Sequence, residues 1–312
     1  MRMRRSINVL LLLLSLFSCR EKDRHGRLVD TPTTGTITIA VDESLKPLIE
    51  AEVAAFEGLY KEAHIRPLYV SEDSAFRLLV TDSARLAVVT RRLSREEKDR
   101  IFERKIVATE VRVGRGAVAL ITNKNSPDST MNLSDLESIL HGESNMWSDL
   151  QPSYARQPLE IIFDNPHSGI ARFLRDSLLH GAAFPSNCYA VNGNEAVIDY
   201  IVKKPYSIGL IGVEWISDRD DSTANRFLST VRVIRLNGHS GLVKPYQAYL
   251  ATGDYPLIRD TFIASGEART GLGSGFIAFV SSDKGQRIVL KAGLVPATMP
   301  VRLVEFTPSS PR

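Results

Sequence analysis

The chain has 312 residues, of which 43% are hydrophobic and 24% are charged, and this composition is typical of a folded protein with a sizeable core. Its formal charge of +3 arises from the first 18 residues, which hold three arginines and no acidic residue, so the remainder has a formal charge of 0. This balance excludes a basic surface large enough for nucleic-acid binding.

The N-terminus is typical of a secretory signal peptide that covers residues 1–18. Arg2, Arg4 and Arg5 precede an apolar run that is too short for a resident membrane span. Residues 16–19 (LFSC) close the run and resemble the lipobox of bacterial lipoproteins, which implies that Cys19 becomes the lipid-modified first residue. The alternative is an ordinary signal peptide with a chance cysteine. We expect a membrane-anchored periplasmic lipoprotein with residues 19–34 as a polar tether.

Cysteines and histidines show no pattern of a disulfide or metal site. With Cys19 acylated, Cys188 is the only thiol of the mature chain, which excludes an intramolecular disulfide and a zinc site built on paired cysteines. The histidines are scattered without metal-ligand spacing. We therefore predict no metal and no cofactor.

The first predicted strand, turn and helix lie at the start of the mature fold. Residues 36–41 (TITIAV) alternate and are rich in β-branched side chains, which favours a strand. The polar turn Asp42-Glu43-Ser44 follows it. Apolar residues then recur at helical spacing, and Pro47 lies in the first turn, where proline is tolerated.

A second segment of the same kind ends at an arginine pair. Residues 86–90 form an apolar strand that leads to Thr90-Arg91-Arg92. Ser94, followed three residues later by a glutamate, then has the spacing of a capping box that opens a charged helix.

The third segment carries the turn on which the interpretation depends. Residues 159–163 predict a strand, and residues 164–169 (DNPHSG) a tight turn before a helix with one apolar face. Ser168 is a good N-cap, and Gly169 lets a ligand approach the backbone. The first amides of a helix lack intrahelical partners and attract anions. The alternative is a capped helix without a ligand.

The rest of the chain continues the alternation of strands and helices. Asn194 is a candidate cap for a further helix. Residues 207–211 and 231–236 predict strands, a β run extends through residue 264, and residues 274–291 predict one helical region. This order predicts an α/β fold with mostly parallel sheets, in which ligands bind beyond the carboxyl ends of strands.

Segments along almost the whole mature chain resemble, in order, the phosphate-type substrate-binding proteins of bacterial ABC transporters, which have the type II periplasmic binding-protein fold. Individually these segments are weak signals, and their order is specific. The matching segments are residues 35–40, 86–93, 117–125, 133–150, 164–169, 208–212, 255–259, 285–289 and 293–296.

The resemblance implies two lobes with a ligand cleft between them and a hinge motion that closes it. It implies lobe 1 at residues 35–113 and 238–306, lobe 2 at 114–237 and a C-terminal tail at 307–312, with crossings near residues 112–116 and 236–240. Backbone amides and hydroxyls at helix starts are expected to hold the ligand. The expected ligand-binding residues are Asp42, Glu43, Ser44, Thr90, Arg91, Asp164, His167, Ser168 and Gly169.

The third turn departs from the family pattern. Phosphate binders usually have an arginine four residues before the serine, an acidic residue two before it and a threonine after the Ser-Gly pair. Asp164, Pro166 and Ile170 occupy these positions here. An acidic residue in place of the arginine removes a bidentate donor and repels a dianion.

Other residues leave alternatives open. Arg91 and Arg92 are candidates to restore positive charge, and the alternative is that both are solvated surface arginines. Asp164 is equally read as a cap or as the partner of a nearby arginine, and His167 as an exposed turn residue.

Two functions are compatible with the sequence. The first is a monomeric, lipid-anchored protein that captures phosphate or a related oxyanion and delivers it to an ABC permease. The second is a ligand sensor or an assembly lipoprotein of the same fold. An enzyme is disfavoured, because Ser168 and His167 are adjacent in a tight turn and the chain has no Gly-x-Ser-x-Gly motif.

Overall fold

The computed structural model describes residues 30–126, 128–218 and 220–300. The predicted signal peptide, Cys19, most of the tether and the predicted tail lie outside these residues. The strands are β1 (Gly35–Asp42), β2 (Ala63–Val70), β3 (Leu86–Val89), β4 (Thr109–Asn123), β5 (Thr130–Met131), β6 (Glu160–Phe163), β7 (Cys188–Ala190), β8 (Ser207–Gly212), β9 (Val231–Val233), β10 (Arg235–Gly238), β11 (Gly241–Val243), β12 (Ile258–Ser265) and β13 (Val295–Pro296).

Helices alternate with these strands, and a short 3-10 turn, Glu43–Leu45, follows β1. None of the described helices is long and apolar enough to cross a membrane. The helices are α1 (Lys46–Leu59), α2 (Glu72–Val80), α3 (Arg95–Glu103), α4 (Leu133–Leu140), α5 (Trp147–Leu150), α6 (Gly169–Ser177), α7 (Asn194–Lys203), α8 (Glu214–Ser217), α9 (Ser222–Thr230), α10 (Gln247–Thr252), α11 (Leu272–Ser281) and α12 (Asp283–Lys291).

A mixed sheet in the order β2-β1-β3-β12-β4-β8-β6-β7 runs through the molecule. The long strand β4 belongs to both halves, because its first part pairs with β12 and its second part with β8 and β9. We call the β2-β1-β3-β12 half lobe 1 and the β8-β6-β7 half lobe 2. The pairs formed by β1 and β6 are parallel, whereas those of β4 and β12 are antiparallel. The sheet is therefore more mixed than the sequence predicts, since the chain crosses outward along β4 and returns along β12.

The positions of β4 and β12 can be compared with the two predicted crossings between the lobes. The predicted first crossing, at residues 112–116, falls within β4. β10 and β11 form a hairpin that pairs with β5, and the strand that joins the lobe 1 sheet begins only at Ile258. We therefore propose that the second crossing lies near Ile258 rather than near residues 236–240.

Alternating apolar residues of the strands and one face of each helix make up the core. Fully buried side chains include Ile39 in β1, Phe56 in α1, Leu120 in β4 and Phe276 in α11. The predicted capping box of α3 is confirmed, because Ser94 Oγ accepts from Glu97 N at 3.2 Å and Glu97 Oε2 accepts from Ser94 N at 2.7 Å. The burial of these apolar side chains fixes where each strand ends. The polar turns follow the strand ends and are positioned by them.

The helical region predicted at residues 274–291 is instead two helices. α11 ends at Ser281, and Ser282 has extended backbone angles before α12 begins. Gly285 permits the tight approach of the two helices, because a Cβ there would lie 2.5 Å from Val280 Cα. The apolar periodicity continues across the break, which explains why the sequence pattern did not reveal it.

Two helix glycines should respond oppositely to alanine. Gly275 in α11 lies against the N-terminal segment, where an added Cβ would overlap the carbonyl oxygen of Pro32, whereas Gly58 in α1 has no atom within 4 Å of that position. We expect Gly275→Ala to lower the free energy of unfolding by roughly 1–3 kcal/mol. Gly58→Ala should raise it by about 0.5–1 kcal/mol, because alanine loses less backbone entropy in a helix. Urea unfolding measures both, and equal shifts in one direction would contradict the packing of Pro32 on α11.

Candidate functional site

Polar side chains from both lobes, with the backbone amide of Gly169, meet mostly where strands β1, β2, β3, β6, β7 and β8 end. Most of them are almost fully buried, which is unusual for charged residues unless they are paired. We call this set the interlobe cluster. Its members are Asp42, Glu43, Ser44, Glu72, Thr90, Asp164, Ser168, Gly169, Arg172, Asn194, Glu214 and Arg259.

The start of α6 is the lobe 2 contribution that the sequence predicted. Ser168 is its N-cap, because its Oγ accepts from Ala171 N at 3.1 Å, and the same hydroxyl donates to Asp164 Oδ1 at 2.6 Å. Gly169 N donates across the lobe boundary to Asp42 Oδ2 at 2.7 Å. The first amide of this helix therefore binds an anionic oxygen, and that oxygen belongs to the chain itself.

The carboxylate of Glu72 forms a second bridge between the lobes. Its Oε1 accepts from both the backbone N and the Oγ1 of Thr90, each at 2.6 Å. Its Oε2 accepts from Nε of Arg172, one helical turn after Ser168 in α6, at 2.5 Å. Arg172 Nη2 also donates to Thr90 Oγ1 at 3.1 Å. A fully buried carboxylate thus satisfies a strand-end amide of lobe 1 and a guanidinium of lobe 2.

Glu43 forms a third bridge, to the start of α7. Its Oε2 accepts from the backbone N of Asn194 at 3.0 Å and from its side-chain Nδ2 at 2.6 Å. Asn194 Oδ1 in turn accepts from Gly212 N at 3.0 Å, which orients the amide. Asn194 is therefore not the N-cap that the sequence predicted. It is the first residue of α7, after the N-cap Gly193, and its backbone amide donates to Glu43.

Arg259 in β12 is a buried member of the cluster that contacts Ser44 and Glu214. Its Nη2 donates to Ser44 Oγ at 2.9 Å and lies 4.0 Å from Glu214 Oε2. Ser44 also holds Asp42, since its N and Oγ both donate to Asp42 Oδ1, at 2.9 and 2.5 Å. Arg259 therefore supports Asp42 through Ser44 as well as through its charge.

The cluster contains more negative than positive groups. Burial, and after it the charge of Asp42, raise the pKa of Asp164 to about 7. Burial also raises the pKa of Glu214 to about 7, although Arg259 opposes that shift. The pKa of Asp42 is raised by burial and then by the charge of Glu72, and burial raises the pKa of Glu43. Arg172 and Arg259 thus offset only part of the buried negative charge.

Seven predicted site residues lie in the cluster: Asp42, Glu43, Ser44, Thr90, Asp164, Ser168 and Gly169. Two lie outside it. Arg91 packs its guanidinium 3.6 Å from the ring centre of Phe76 and donates twice to Glu97, each at 2.8 Å. His167 is largely exposed, and its Nδ1 lies 3.3 Å from Asp73 Oδ2. Ligand contact by Arg91 and His167 stays a prediction.

Several cluster residues were not predicted as ligand-binding. Glu72 follows β2 at the start of a helix, which is the same strand-turn-helix pattern as the other segments. Arg172 lies four residues after Ser168, so helical spacing alone places both on one face. Arg259 and Glu214 had no local signal, because their burial depends on the return of the chain along β12.

An open cavity of about 430 Å³ adjoins the cluster between the lobes. Hydroxyl groups of Ser71 and Ser74 line it from lobe 1, and Asn165 and Asn192 from lobe 2. Glu43 and Asp164 lie on its wall, next to the amides described above. The cavity reaches Ser168 and Gly193, the residues that precede the two helix starts. No group of three or more metal-binding side chains occurs among the described residues.

The raised pKa of Glu214 predicts a pH-dependent stability. Its folded-state pKa of about 7 lies above the ordinary value of 4.5, so its contribution is present at low pH and is lost as pH rises from about 4.5 through about 7. The wild-type free energy of unfolding should fall over this range. In Glu214→Gln the fall should be smaller by about 3 kcal/mol. Urea unfolding between pH 4 and about 8 tests this, and equal slopes for both proteins would contradict it.

Comparison with known proteins identifies the family of the chain. The family model of the PBP superfamily domain matches residues 29–284. The phosphate-binding protein PstS of Pseudomonas aeruginosa is 22% identical over 288 residues, which cover 87% of this chain and 85% of that protein. The phosphate-binding protein PstS of Staphylococcus epidermidis is 21% identical over 247 residues, which cover 78% and 73%.

Solved structures show the same fold. A putative phosphate ABC transporter substrate-binding protein from Clostridium perfringens, solved with bound phosphate, aligns with a TM-score of 0.72 and 21% identity over 84% of this chain and 100% of that one. An ABC-type phosphate transport receptor from Vibrio cholerae aligns with a TM-score of 0.62 and 17% identity, with the same coverage. The predicted fold class is thereby confirmed. The protein belongs to the PBP superfamily domain family and has the two-lobed fold of periplasmic binding proteins.

Proposed function

We propose that the protein is a lipid-anchored solute-binding protein that captures a small oxyanion, phosphate or a related ion, for an ABC importer. Family membership supports solute capture between two lobes. The relatives named above are phosphate-binding proteins, and one of the similar structures contains phosphate. The proposed cellular place is the periplasmic face of a membrane, with Cys19 carrying the lipid and a permease as the partner.

The observation that carries this proposal is the chemistry of the amides in the cleft. Gly169 N, Thr90 N and Asn194 N come from three different chain segments, and each donates to a carboxylate oxygen. Two of them are the first amides of helices, where the helix dipole adds to the attraction of negative charge. Amides that bind carboxylate oxygens in this way are suited to bind the oxygens of a small oxyanion as well.

Arginines compensate for the residue that the third turn lacks. Asp164 stands where the phosphate binders usually have an arginine, and Arg172 brings a guanidinium to Glu72 and Thr90, which lie beside Gly169. Arg259 supplies a second buried positive charge 2.9 Å from Ser44 Oγ. We propose that an incoming oxyanion takes the amides together with Arg172, after the lobes separate and the chain's own carboxylates leave.

A second candidate function has one observation in its favour. The amides of the cleft already have anionic partners within the chain, so these donors do not need a solute to be satisfied. This arrangement suits a sensor or an assembly lipoprotein, which binds a partner and transports nothing. Cells that lack the protein distinguish the two: lost uptake of the oxyanion supports import, and unchanged uptake supports the second function.

Oxyanion binding is tested by calorimetry on the mature protein. We expect phosphate, or one of sulfate, molybdate and small carboxylates, to bind with a dissociation constant below millimolar. Ser168→Ala should weaken this binding roughly tenfold, because it removes a hydroxyl donor at the anion. Ser94→Ala is the matched control, because it removes the N-cap of α3 outside the cleft and should leave the affinity unchanged. Binding of none of these ions would contradict the proposal.

The lipid anchor is tested by metabolic labelling with a radioactive fatty acid. We expect the wild-type protein and Cys188→Ser to carry the label, and Cys19→Ser to lose both the label and the membrane association. Cys188 is a half-buried free thiol in β7, so its variant controls for the loss of a cysteine as such. Label retained by Cys19→Ser would show that the lipid is attached elsewhere.

A further inference from the structure

The chain's own carboxylates occupy the positions that an oxyanion would take. Asp42 from lobe 1 accepts from the first amide of α6 in lobe 2, at 2.7 Å. Glu72 from lobe 1 accepts from Thr90 N and from Arg172 of lobe 2. Both carboxylates are fully buried. The two oxygens of each carboxylate therefore accept hydrogen bonds from donors that a bound oxyanion would need.

No space for an ion is left between these groups. A Cβ built on Gly169 would lie 2.5 Å from Thr90 Oγ1, 2.7 Å from Asp42 Oδ2 and 3.0 Å from Glu72 Oε1. A single added carbon does not fit there, so a tetrahedral oxyanion does not fit without separation of the lobes. The open cavity reaches Ser168 and Gly193 but ends short of these buried amides.

These contacts hold the two lobes together. Charged hydrogen bonds of this kind are about twice as strong as neutral ones. The carboxylates are tethered to the same chain, so they act on the amides at a high effective concentration. A free oxyanion competes with them and must also tolerate their negative charge nearby.

We propose that Asp42 and Glu72 set the solute affinity of the cleft by acting as internal anions that close the lobes without a solute. This inference rests on the proposed function in one respect: it takes the competing solute to be an oxyanion. Removal of either charge should free the amides and weaken the closed form. The cleft should then bind an added oxyanion more tightly than the wild-type protein does.

The test compares Asp42→Asn and Glu72→Gln with the wild-type chain, with inorganic phosphate and sulfate as probes in calorimetry. We expect each variant to bind at least one probe about tenfold more tightly than the wild-type chain does, because a competing negative charge has been removed. Glu267→Gln is the matched control, because Glu267 accepts from Gly273 N and Ser274 N at the start of α11, outside the cleft. Its affinity for the probes should equal that of the wild-type protein.

Solution scattering supplies a readout that is independent of affinity. The wild-type protein without a solute should have the radius of gyration of a closed form, and phosphate should not reduce it. The variants should be expanded without a solute and contract when phosphate is added. If Asp42→Asn does not fold, Glu72→Gln and the wild-type scattering still decide the question. A wild-type protein that is expanded and contracts only with phosphate would overturn the inference.

The outcomes separate this inference from the proposed function. Binding by the wild-type chain with tighter binding by the variants supports both. Binding by the variants alone supports internal anions and overturns oxyanion capture by the native chain. Equal or weaker binding by the variants overturns the inference and leaves oxyanion capture standing. Absence of binding to every protein overturns both.

Discussion

The structure depends on the burial of several carboxyl groups between two lobes. Buried carboxylates are costly unless donors and positive charges surround them. Asp42 and Glu72 meet this requirement through backbone amides, hydroxyls and Arg172, whereas neither oxygen of Glu214 has a hydrogen-bond partner among the described residues. The same requirement fixes the orientation of α6 and α7 relative to lobe 1, because their first amides are the donors that the carboxylates need.

The family likeness and the chemistry of the cleft point in partly different directions. The fold and its helix starts are those of proteins that hold an anion. The side chains around them carry more acidic than basic groups, and burial raises the pKa of Asp164 and of Glu214 to about 7. Carboxylates of the chain itself account for both features. They accept hydrogen bonds from the anion-binding amides of the fold, and they bring negative charge into the cleft.

The sequence predicted the features that depend on nearby residues and missed the contacts between residues that are far apart in the chain. The fold class and the turns at residues 42–44, 90–92 and 164–169 were predictable, because strand ends and N-caps depend on nearby residues. The partners of those turns were not. Glu72 and Arg172 are 100 residues apart in the chain, and Arg259 is 215 residues from Ser44. No periodicity indicates which lobe 1 carboxylate meets which lobe 2 helix.

Arg91 shows how a local pattern leaves the orientation of a side chain open. A basic residue directly after a strand that ends at the cleft was a reasonable candidate for ligand contact. The side chain turns away, because the Phe76 ring and the Glu97 carboxylate together offer it stacking and a bidentate ion pair. Local residues decided this orientation, yet the choice between two favourable local partners and a distant ligand required the tertiary structure.

One contact across the lobes gives the protein an optical property. Trp215, in α8 of lobe 2, donates from Nε1 to the carbonyl oxygen of Ser44 in lobe 1 at 3.0 Å. The other tryptophan of the chain, Trp147, donates to Tyr206 O within lobe 2. Separation of the lobes would break the hydrogen bond of one indole and leave that of the other in place. The intrinsic emission spectrum therefore contains both a reporter of the hinge and an internal reference, without any attached dye.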